Sequence, residues 1–146
     1  NTGNTGNTGD TGDNFPNEHD GLNWSDASSN KMTWDDARSY CQNLGGRLPT
    51  ISELRTLIQN CPGAETGGEC GVTDSCLSWQ DCRNDACDGC EYDDSGKYSV
   101  FGGYAYWFWS SSERSDDESG VWHVGFQGGN VYSAYKYDHG YVRCVR

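Results

Sequence analysis

The sequence predicts an α+β domain preceded by a short run of glycine triplets. Two capped amphipathic segments lie between residues 33 and 62, and alternating aromatic and apolar residues fill the last third of the chain. Between these two parts lies a cysteine-rich stretch with little apolar material of its own. The 146 residues are enough for one domain with a hydrophobic core.

Glycine occupies every third position at the start of the chain. Residues 1–13 read NTGNTGNTGDTGD, and Phe15 stands where the next glycine would fall. This period is typical of the collagen triple helix, in which only glycine fits at the axis, but the absence of proline leaves a flexible polar linker as the alternative. We predict a collagen-like stalk end over residues 1–13 and a globular domain over residues 14–146. Four threonines of the triplets are candidate O-glycosylation sites: Thr2, Thr5, Thr8 and Thr11.

The first predicted helix begins after Thr33, whose side-chain oxygen suits it to accept a hydrogen bond from a free N–H of the first turn. Gly45 and Gly46 end the helix, because glycine readily adopts the left-handed conformation that follows a helix. Apolar residues recur in it at spacings of three and four and therefore form one buried stripe. This stripe consists of Trp34, Ala37, Cys41 and Leu44.

A second helix is predicted directly after the first. Thr50 and Glu53 have the spacing of a capping box, in which each side chain accepts a hydrogen bond from the other residue's backbone. Pro62 prevents the helix from continuing, because proline lacks the backbone N–H and clashes with the preceding turn. The apolar face of this helix comprises Ile51, Leu54, Leu57 and Ile58.

Residues 61–95 have the composition of a cysteine-rich insertion among Gly, Asp and Asn. The chain has eight cysteines, an even number that indicates disulfides in a secreted protein and zinc in a cytosolic one. The glycine triplets and the polar composition favour disulfides and an extracellular location, secreted or displayed on a surface. Six cysteines allow 15 pairings, and the sequence does not choose among them. The six are Cys61, Cys70, Cys76, Cys82, Cys87 and Cys90.

The last third of the chain has the pattern of an antiparallel sheet. Strands are predicted at residues 104–112, 121–126, 131–137 and 141–146, and residues 127–130 (QGGN) form a hairpin turn. Alternation places one set of side chains on a common face of the second strand, namely Trp122, Val124 and Phe126.

The helical segments WDDARSYCQNLGGRLPT and SELRTLI, together with the C-terminal WFWSSS, VWHVGF and YVRCVR, resemble a C-type-lectin-like domain. More narrowly, they are similar to the bacterial group that caps collagen-like adhesins and also supplies variable proteins of diversity-generating retroelements. The resemblance covers roughly residues 20–60 and 100–146 and skips the insertion. It implies an α+β, C-type-lectin-like fold, with two helices packed on a small twisted antiparallel sheet.

The resemblance also implies one disulfide. In the family, the cysteine of the first helix is joined to the cysteine of the final strand, which here are Cys41 and Cys144. The alternation of both segments places these residues on buried faces. A link across so long a loop stabilises the fold by up to ~4–5 kcal/mol in the chain-entropy model.

For function, the resemblance implies an adhesin head on a collagen-like stalk. Such a head is a homotrimer and binds a glycan or a cell-surface protein without catalysis. An alternative is a structural subunit of an extracellular filament, assembled through the Gly-X-Y segment and head–head contacts. We expect no enzymatic activity, because no nucleophile motif connects Ser110–Ser112 with His123.

The net charge of −12 limits the partners that the chain is expected to bind. Nucleic acid needs a basic face, so no nucleic-acid partner is expected, and sulfated polysaccharides are disfavoured for the same reason. No apolar run approaches the roughly 18 residues of a membrane span, so we expect no membrane insertion.

The final hairpin is the predicted ligand-binding region. Tyrosine offers a large rigid ring with a polar tip, and short polar neighbours supply adaptable hydrogen bonds, a composition typical of binding surfaces. The alternative is that the tyrosines pack the sheet, and about half should do so because strand residues alternate between faces. The candidate residues are Asn130, Tyr132, Tyr135, Tyr137, Asp138, His139 and Tyr141.

Two acidic clusters are candidate calcium sites, since Ca²⁺ binds six to eight oxygen ligands, although a solvated acidic surface is the commoner outcome. The proline-containing triplets of the calcium-dependent sugar site of true C-type lectins do not occur here, so such a site is not predicted. No other cofactor is expected. The first cluster comprises Asp85, Asp88, Glu91, Asp93 and Asp94, and the second comprises Asp116, Asp117 and Glu118.

Overall fold

The computed structural model describes residues 13–103 and 106–146. The predicted collagen-like triplets, with their four candidate glycosylation sites, lie outside the described residues. The described chain is an α+β structure with two small antiparallel sheets and a few short helices. Its elements in order are β1 (Asn17–His19), β2 (Leu22–Trp24), α1 (Trp34–Leu44), α2 (Ile51–Arg55), α3 (Trp79–Cys82), a 3₁₀ helix (Asp85–Asp88), β3 (Trp107–Glu113), β4 (Gly120–Gly125) and β5 (Asn130–Tyr135).

Helix α1 has the predicted limits. The Thr33 side chain accepts a hydrogen bond from the Asp36 N–H at 3.4 Å, and Gly45 follows the helix with φ of 97°. The predicted stripe faces the core, with Trp34, Ala37 and Cys41 buried and its last residue, Leu44, half-buried.

Helix α2 is shorter than its apolar pattern suggests. The predicted capping box is present, with Glu53 N–H donating to the Thr50 hydroxyl and Thr50 N–H donating to the Glu53 carboxylate. The helix nevertheless ends at Arg55, because the next three backbone N–H groups donate three residues back instead of four and the chain then bonds to residues 98–100. The chain then leaves the helix, and Ile58 forms a bridge with Ser99. The whole predicted apolar set is still buried: Ile51, Leu54, Leu57 and Ile58.

The main sheet has three antiparallel strands in the order β3–β4–β5. The central strand β4 is buried at every position, so both faces of the sheet are covered. On one face Phe108, Val124 and Val131 lie in register and pack against α2 and the insertion. On the other face Trp109 and Val121 belong to the cluster that includes α1.

The predicted last strand, residues 141–146, does not join this sheet as a regular strand, which corrects the sequence-based prediction. It makes a bridge from Tyr141 to Phe108 and otherwise runs beside residues 23–28 and beside Arg47, which exchanges two backbone hydrogen bonds with Val145. Two serine hydroxyls replace backbone acceptors there, since Ser25 accepts from the Cys144 N–H at 2.8 Å and Ser28 accepts from the Val142 N–H at 3.0 Å. This irregular pairing interrupts the backbone ladder that a strand requires.

All eight cysteines form disulfides. Cys41 of α1 is bonded to Cys144, the pairing that the resemblance implies, and joins positions 103 residues apart. Each of the three remaining links lies within residues 61–95, so the insertion is cross-linked to itself. These links are Cys61–Cys90, Cys70–Cys87 and Cys76–Cys82.

Arg55 is the buried residue around which the start of the insertion folds. Its side chain is 3% exposed, and its guanidinium donates hydrogen bonds to the carbonyls of Ala64, Glu65 and Val72. Burial lowers the pKa of Arg55 from its usual value. The three backbone carbonyls, rather than a carboxylate, offset this cost of burying the charge.

Among the described helices, none is long and apolar enough to cross a membrane.

Candidate functional site

A cleft with a volume of about 370 Å³ lies beside β5, an edge strand of the main sheet. Its walls come from three separate parts of the chain. The insertion contributes Trp79, the loop after β3 contributes Arg114, and the final hairpin contributes Tyr132, Tyr135 and Asp138. The cleft therefore includes three of the predicted ligand-binding residues, and Trp79 and Arg114 are among the lining residues that the prediction did not include.

Trp79 is held in place by three independent constraints. Its ring stacks on Trp122 of β4 at 5.8 Å between centroids and 7° between planes. The Asp116 carboxylate accepts hydrogen bonds from the backbone N–H groups of Trp79 and Gln80 and so caps the first turn of α3. The Cys76–Cys82 disulfide closes the same short segment.

Arg83 connects the insertion to the hairpin. Its guanidinium lies 4.6 Å from the ring centroid of Trp79 and 4.6 Å from that of Tyr132, distances typical of cation–π contacts. It donates to the Val131 carbonyl at 3.1 Å and to the Asp88 carboxylate at 2.6 Å. The cysteine-rich insertion is thus fastened to the edge strand at the cleft.

Arg114 lines the cleft but its charge is compensated. Its Nε donates to Asp116 at 3.0 Å, and Asp117 lies 3.9 Å from its Nη1. The hydrogen bond from Arg114 holds the pKa of Asp116 well below its usual range, and the N–H groups of Trp79 and Gln80 act in the same direction. Asp116 and Asp117 therefore neutralise the charge of the Arg114 guanidinium.

The tyrosines of the hairpin are exposed. Tyr132 and Tyr135 are 40% and 49% exposed, and Tyr135 stacks on Tyr137 at 5.3 Å. The Asp138 Oδ2 accepts a hydrogen bond from the Tyr135 N–H at 2.9 Å, which fixes the turn after β5. Within the described chain, the hydroxyls of Tyr132 and Tyr135 and the Asp138 Oδ1 make no hydrogen bond, so these polar tips are available to a ligand.

The structure does not bring the other predicted ligand residues to the cleft walls. Asn130 lies at the opposite end of β5, beside Gly89. Tyr141 is half-buried and stacks on Tyr106 at 5.0 Å. Tyr137 reaches the cleft only through its stack on Tyr135, and His139 is exposed without lining it.

The sequence contains a weak signal for the residues that the prediction missed. Trp79 is a large aromatic residue in a polar, disulfide-linked stretch that offers no core of its own, and Arg83 follows it by one helical turn. A large aromatic ring in such a segment must pack against another part of the chain. The sequence does not indicate that its partner is Trp122, 43 residues further along.

Four carboxylates of the two acidic clusters, Asp88, Asp93, Asp116 and Asp117, have basic partners. Asp88 is paired with Arg83, and Asp93 lies 3.7 Å from Lys97. Hydrogen bonds from Ser95 lower the pKa of Asp93. Across residues 13–103 and 106–146, no group of three or more His, Cys, Asp or Glu side chains is placed to hold a metal ion. The structure therefore does not gather either predicted calcium cluster into a site.

The family model for the Lcl C-terminal domain matches residues 15–146. The chain belongs to the Lcl C-terminal domain family. This finding confirms the resemblance to the C-type-lectin-like domain of collagen-like adhesins and variable proteins. The matched range includes the cysteine-rich insertion, which the resemblance by residues had skipped. None of the curated proteins compared with the chain matches it.

Membership in the Lcl C-terminal domain family suggests a lectin-like adhesin head domain. The four disulfides fit an extracellular protein, because such links persist in oxidising surroundings.

Proposed function

We propose that this chain is the head of an extracellular adhesin, which recognises a glycan or a cell-surface protein and performs no catalysis. The observation that carries the proposal is the cleft beside β5, where exposed aromatic rings and free polar tips share one concave surface. Rigid rings provide contact area at a low cost in conformational entropy. The family match supports the same proposal.

The composition of the cleft favours binding over chemistry. Ser133 is the one aliphatic hydroxyl among its described lining residues, and no histidine or cysteine accompanies it there. Nucleophilic catalysis needs a base within hydrogen-bonding reach of the nucleophile. The charged groups in the walls, Arg114 and Asp138, are engaged in an ion pair and a turn respectively.

We further propose that the glycine triplets are the end of a collagen-like stalk on which three heads assemble. The first described residue, Asp13, lies 3.6 Å from the C-terminal Arg146, whose guanidinium also covers the ring of Phe15. The stalk would therefore leave the head beside its C-terminus. The alternative function is a subunit of an extracellular filament, in which the same triplets would join one subunit to the next.

The binding proposal is tested by retention of the labelled chain on host-cell or matrix surfaces. We expect the double variant Tyr132→Ala/Tyr135→Ala to lose retention while keeping its melting temperature within a few degrees. Tyr92→Ala is the matched control, because Tyr92 is 70% exposed and lies outside the cleft. Unchanged retention of the double variant would show that the cleft is not the binding site.

The stalk proposal is tested by light scattering on residues 1–146 beside residues 14–146, with and without EDTA. Trimers of both lengths would make the head the trimerisation unit. If only residues 1–146 assemble, and they form open-ended polymers, the result would instead favour the filament. Dissociation of the oligomer in EDTA would indicate that a bound divalent cation such as calcium is needed for assembly.

A further inference from the structure

We infer that the cleft takes an uncharged saccharide, the neutral end of a glycan, rather than a sulfated or carboxylated sugar. The inference rests on the proposed function and names the ligand class for the same site. It follows from three features of the cleft: its size, the state of its charges and the free polar groups on its walls.

The size of the cleft suits a small ligand. Its volume of about 370 Å³ falls at the lower end of the roughly 300–1,000 Å³ typical of small-molecule sites. Such a space accommodates the terminal ring or two of a glycan. A protein ligand would need a much larger complementary surface, of about 800 Å² per partner.

The charges of the cleft disfavour an anionic sugar. A sulfate or carboxylate group needs a cation that is not already neutralised. Arg114 is paired with Asp116 and approached by Asp117, and the nearby Arg83 is paired with Asp88. An anionic ligand would have to displace one of these carboxylates.

Asp138 adds to this effect, because its carboxylate lies in the cleft wall itself. The chain as a whole has a net charge of −12, so the long-range field also repels anions.

The free groups suit hydroxyls and an apolar ring face. Arg83 covers part of the Tyr132 ring and Tyr137 stacks on the Tyr135 ring, and the part of each ring that stays exposed is the apolar surface on which the C–H face of a pyranose packs. The Asp138 Oδ1 accepts hydrogen bonds, and the tyrosine hydroxyls both donate and accept them. Arg114 retains N–H donors on its guanidinium without offering an uncompensated charge.

The inference is tested with the full chain on immobilised oligosaccharides. The neutral set contains lactose, mannose oligosaccharides and N-acetylglucosamine oligomers, and the anionic set contains sialyllactose and heparin. We expect binding to at least one neutral sugar, with little change in affinity between low and high salt because no charge pair is formed. Tyr132→Ala and Asp138→Asn should each weaken it by about tenfold or more.

Two control variants separate the cleft from the general surface. Tyr92→Ala and Asp94→Asn remove the same groups at exposed positions outside the cleft and should leave affinity unchanged. A gain-of-function variant tests the charge argument directly. Asp116→Asn keeps an acceptor for the cap of α3 but removes the nearer of the two carboxylates beside Arg114, and the double variant Asp116→Asn/Asp117→Asn removes both, so the double variant should add affinity for sialyllactose that the parent chain lacks.

The possible outcomes distinguish this inference from the proposed function. Preferential binding of the parent chain to heparin or sialyllactose would overturn the inference. Cell binding that depends on Tyr132 but is accompanied by no glycan binding would also overturn it, while leaving the adhesin proposal in place with a protein ligand. Absence of binding to both cells and glycans would overturn both.

Discussion

Trp79 of the cysteine-rich insertion stacks on Trp122 of the central strand, with ring centroids 5.8 Å apart and planes 7° apart. This contact ties a segment that lacks a core of its own to the most deeply buried strand of the domain. The indole N–H of Trp122 also donates to the Leu77 carbonyl at 2.9 Å, so the same strand holds the backbone of the insertion. The cleft beside β5 exists because of this attachment.

Replacing Trp79 by alanine should abolish ligand binding and lower stability moderately. The ring is half-buried, so the loss in free energy of unfolding should fall below the ~3–5 kcal/mol of a fully buried aromatic residue. Trp79→Phe should retain part of both properties. Calorimetric melting together with the oligosaccharide assay measures the two effects. Full binding by Trp79→Ala would contradict the assigned cleft.

Loss of the Cys41–Cys144 disulfide should lower the free energy of unfolding more than loss of the Cys76–Cys82 disulfide. Cys41→Ser/Cys144→Ser opens a link across 103 residues and should cost about 4.7 kcal/mol of unfolding free energy in the chain-entropy model. Cys76→Ser/Cys82→Ser opens a link across 6 residues and should cost about half as much, while releasing α3 and weakening ligand binding. Urea unfolding gives both free energies. Equal losses, or intact binding without Cys76–Cys82, would contradict this prediction.

Arg55→Ala should be among the more destabilising substitutions of a charged residue in this chain. It would leave the buried carbonyls of Ala64 and Val72 without their donor and remove one of two donors to the Glu65 carbonyl, at a cost of about 3 kcal/mol. Arg38→Ala is the matched control, since Arg38 is half exposed, pairs with the surface carboxylate of Asp35 and lies over the Trp34 ring at 4.7 Å, two contacts worth about 1 kcal/mol or less each. Similar melting temperatures for the two variants would count against the structural role of Arg55.

His123 should make the domain less stable as the pH falls below neutrality. Its ring is packed against Trp107 at 4.3 Å, its Nδ1 has no hydrogen-bond partner among the described residues, and burial lowers its pKa from 6.5 to about 3. Above pH 6.5 the ring is neutral in both states. Between pH 6.5 and about 3 the unfolded chain binds a proton that the folded chain does not, so stability decreases by at most about 1.4 kcal/mol per pH unit.

The measurement for this prediction is unfolding free energy from pH 7 to pH 4.5, where most carboxylates are still ionised. His123→Gln should flatten the slope, whereas His139→Gln, at an exposed position, should leave it unchanged. An identical slope in all three proteins would show that His123 is not the group responsible.

Much of the fold could be predicted from the sequence because its signals are local. Thr33 and Gly45 bound α1 by cap chemistry, and Thr50 with Glu53 begins α2 in the same way. The apolar pattern predicted the end of a helix less well where tertiary contacts compete with the helical hydrogen bonds. Helix α2 ends at Arg55 because the following residues bond to the segment around Ser99, a partner that no local pattern indicates.

Only the part of the candidate site that lies in the final hairpin could be predicted from the sequence. Tyr132, Tyr135 and Asp138 belong to one hairpin, so their composition and closeness in sequence identified them. Trp79 and Arg114 come from distant segments and join the cleft only through the packing of the insertion on β4 and β5.

The sequence by itself determined the fold class, the caps, the buried stripes and the aromatic hairpin, because each depends on residues within a few positions of one another. The tertiary structure alone decided three things: which of the 15 pairings the insertion cysteines adopt, the irregular course of residues 141–146, and the neutralisation of Arg114. Each of these depends on which distant segments meet in space. Local propensity carries no information about such meetings, since they are fixed by the joint burial of apolar surface across the whole chain.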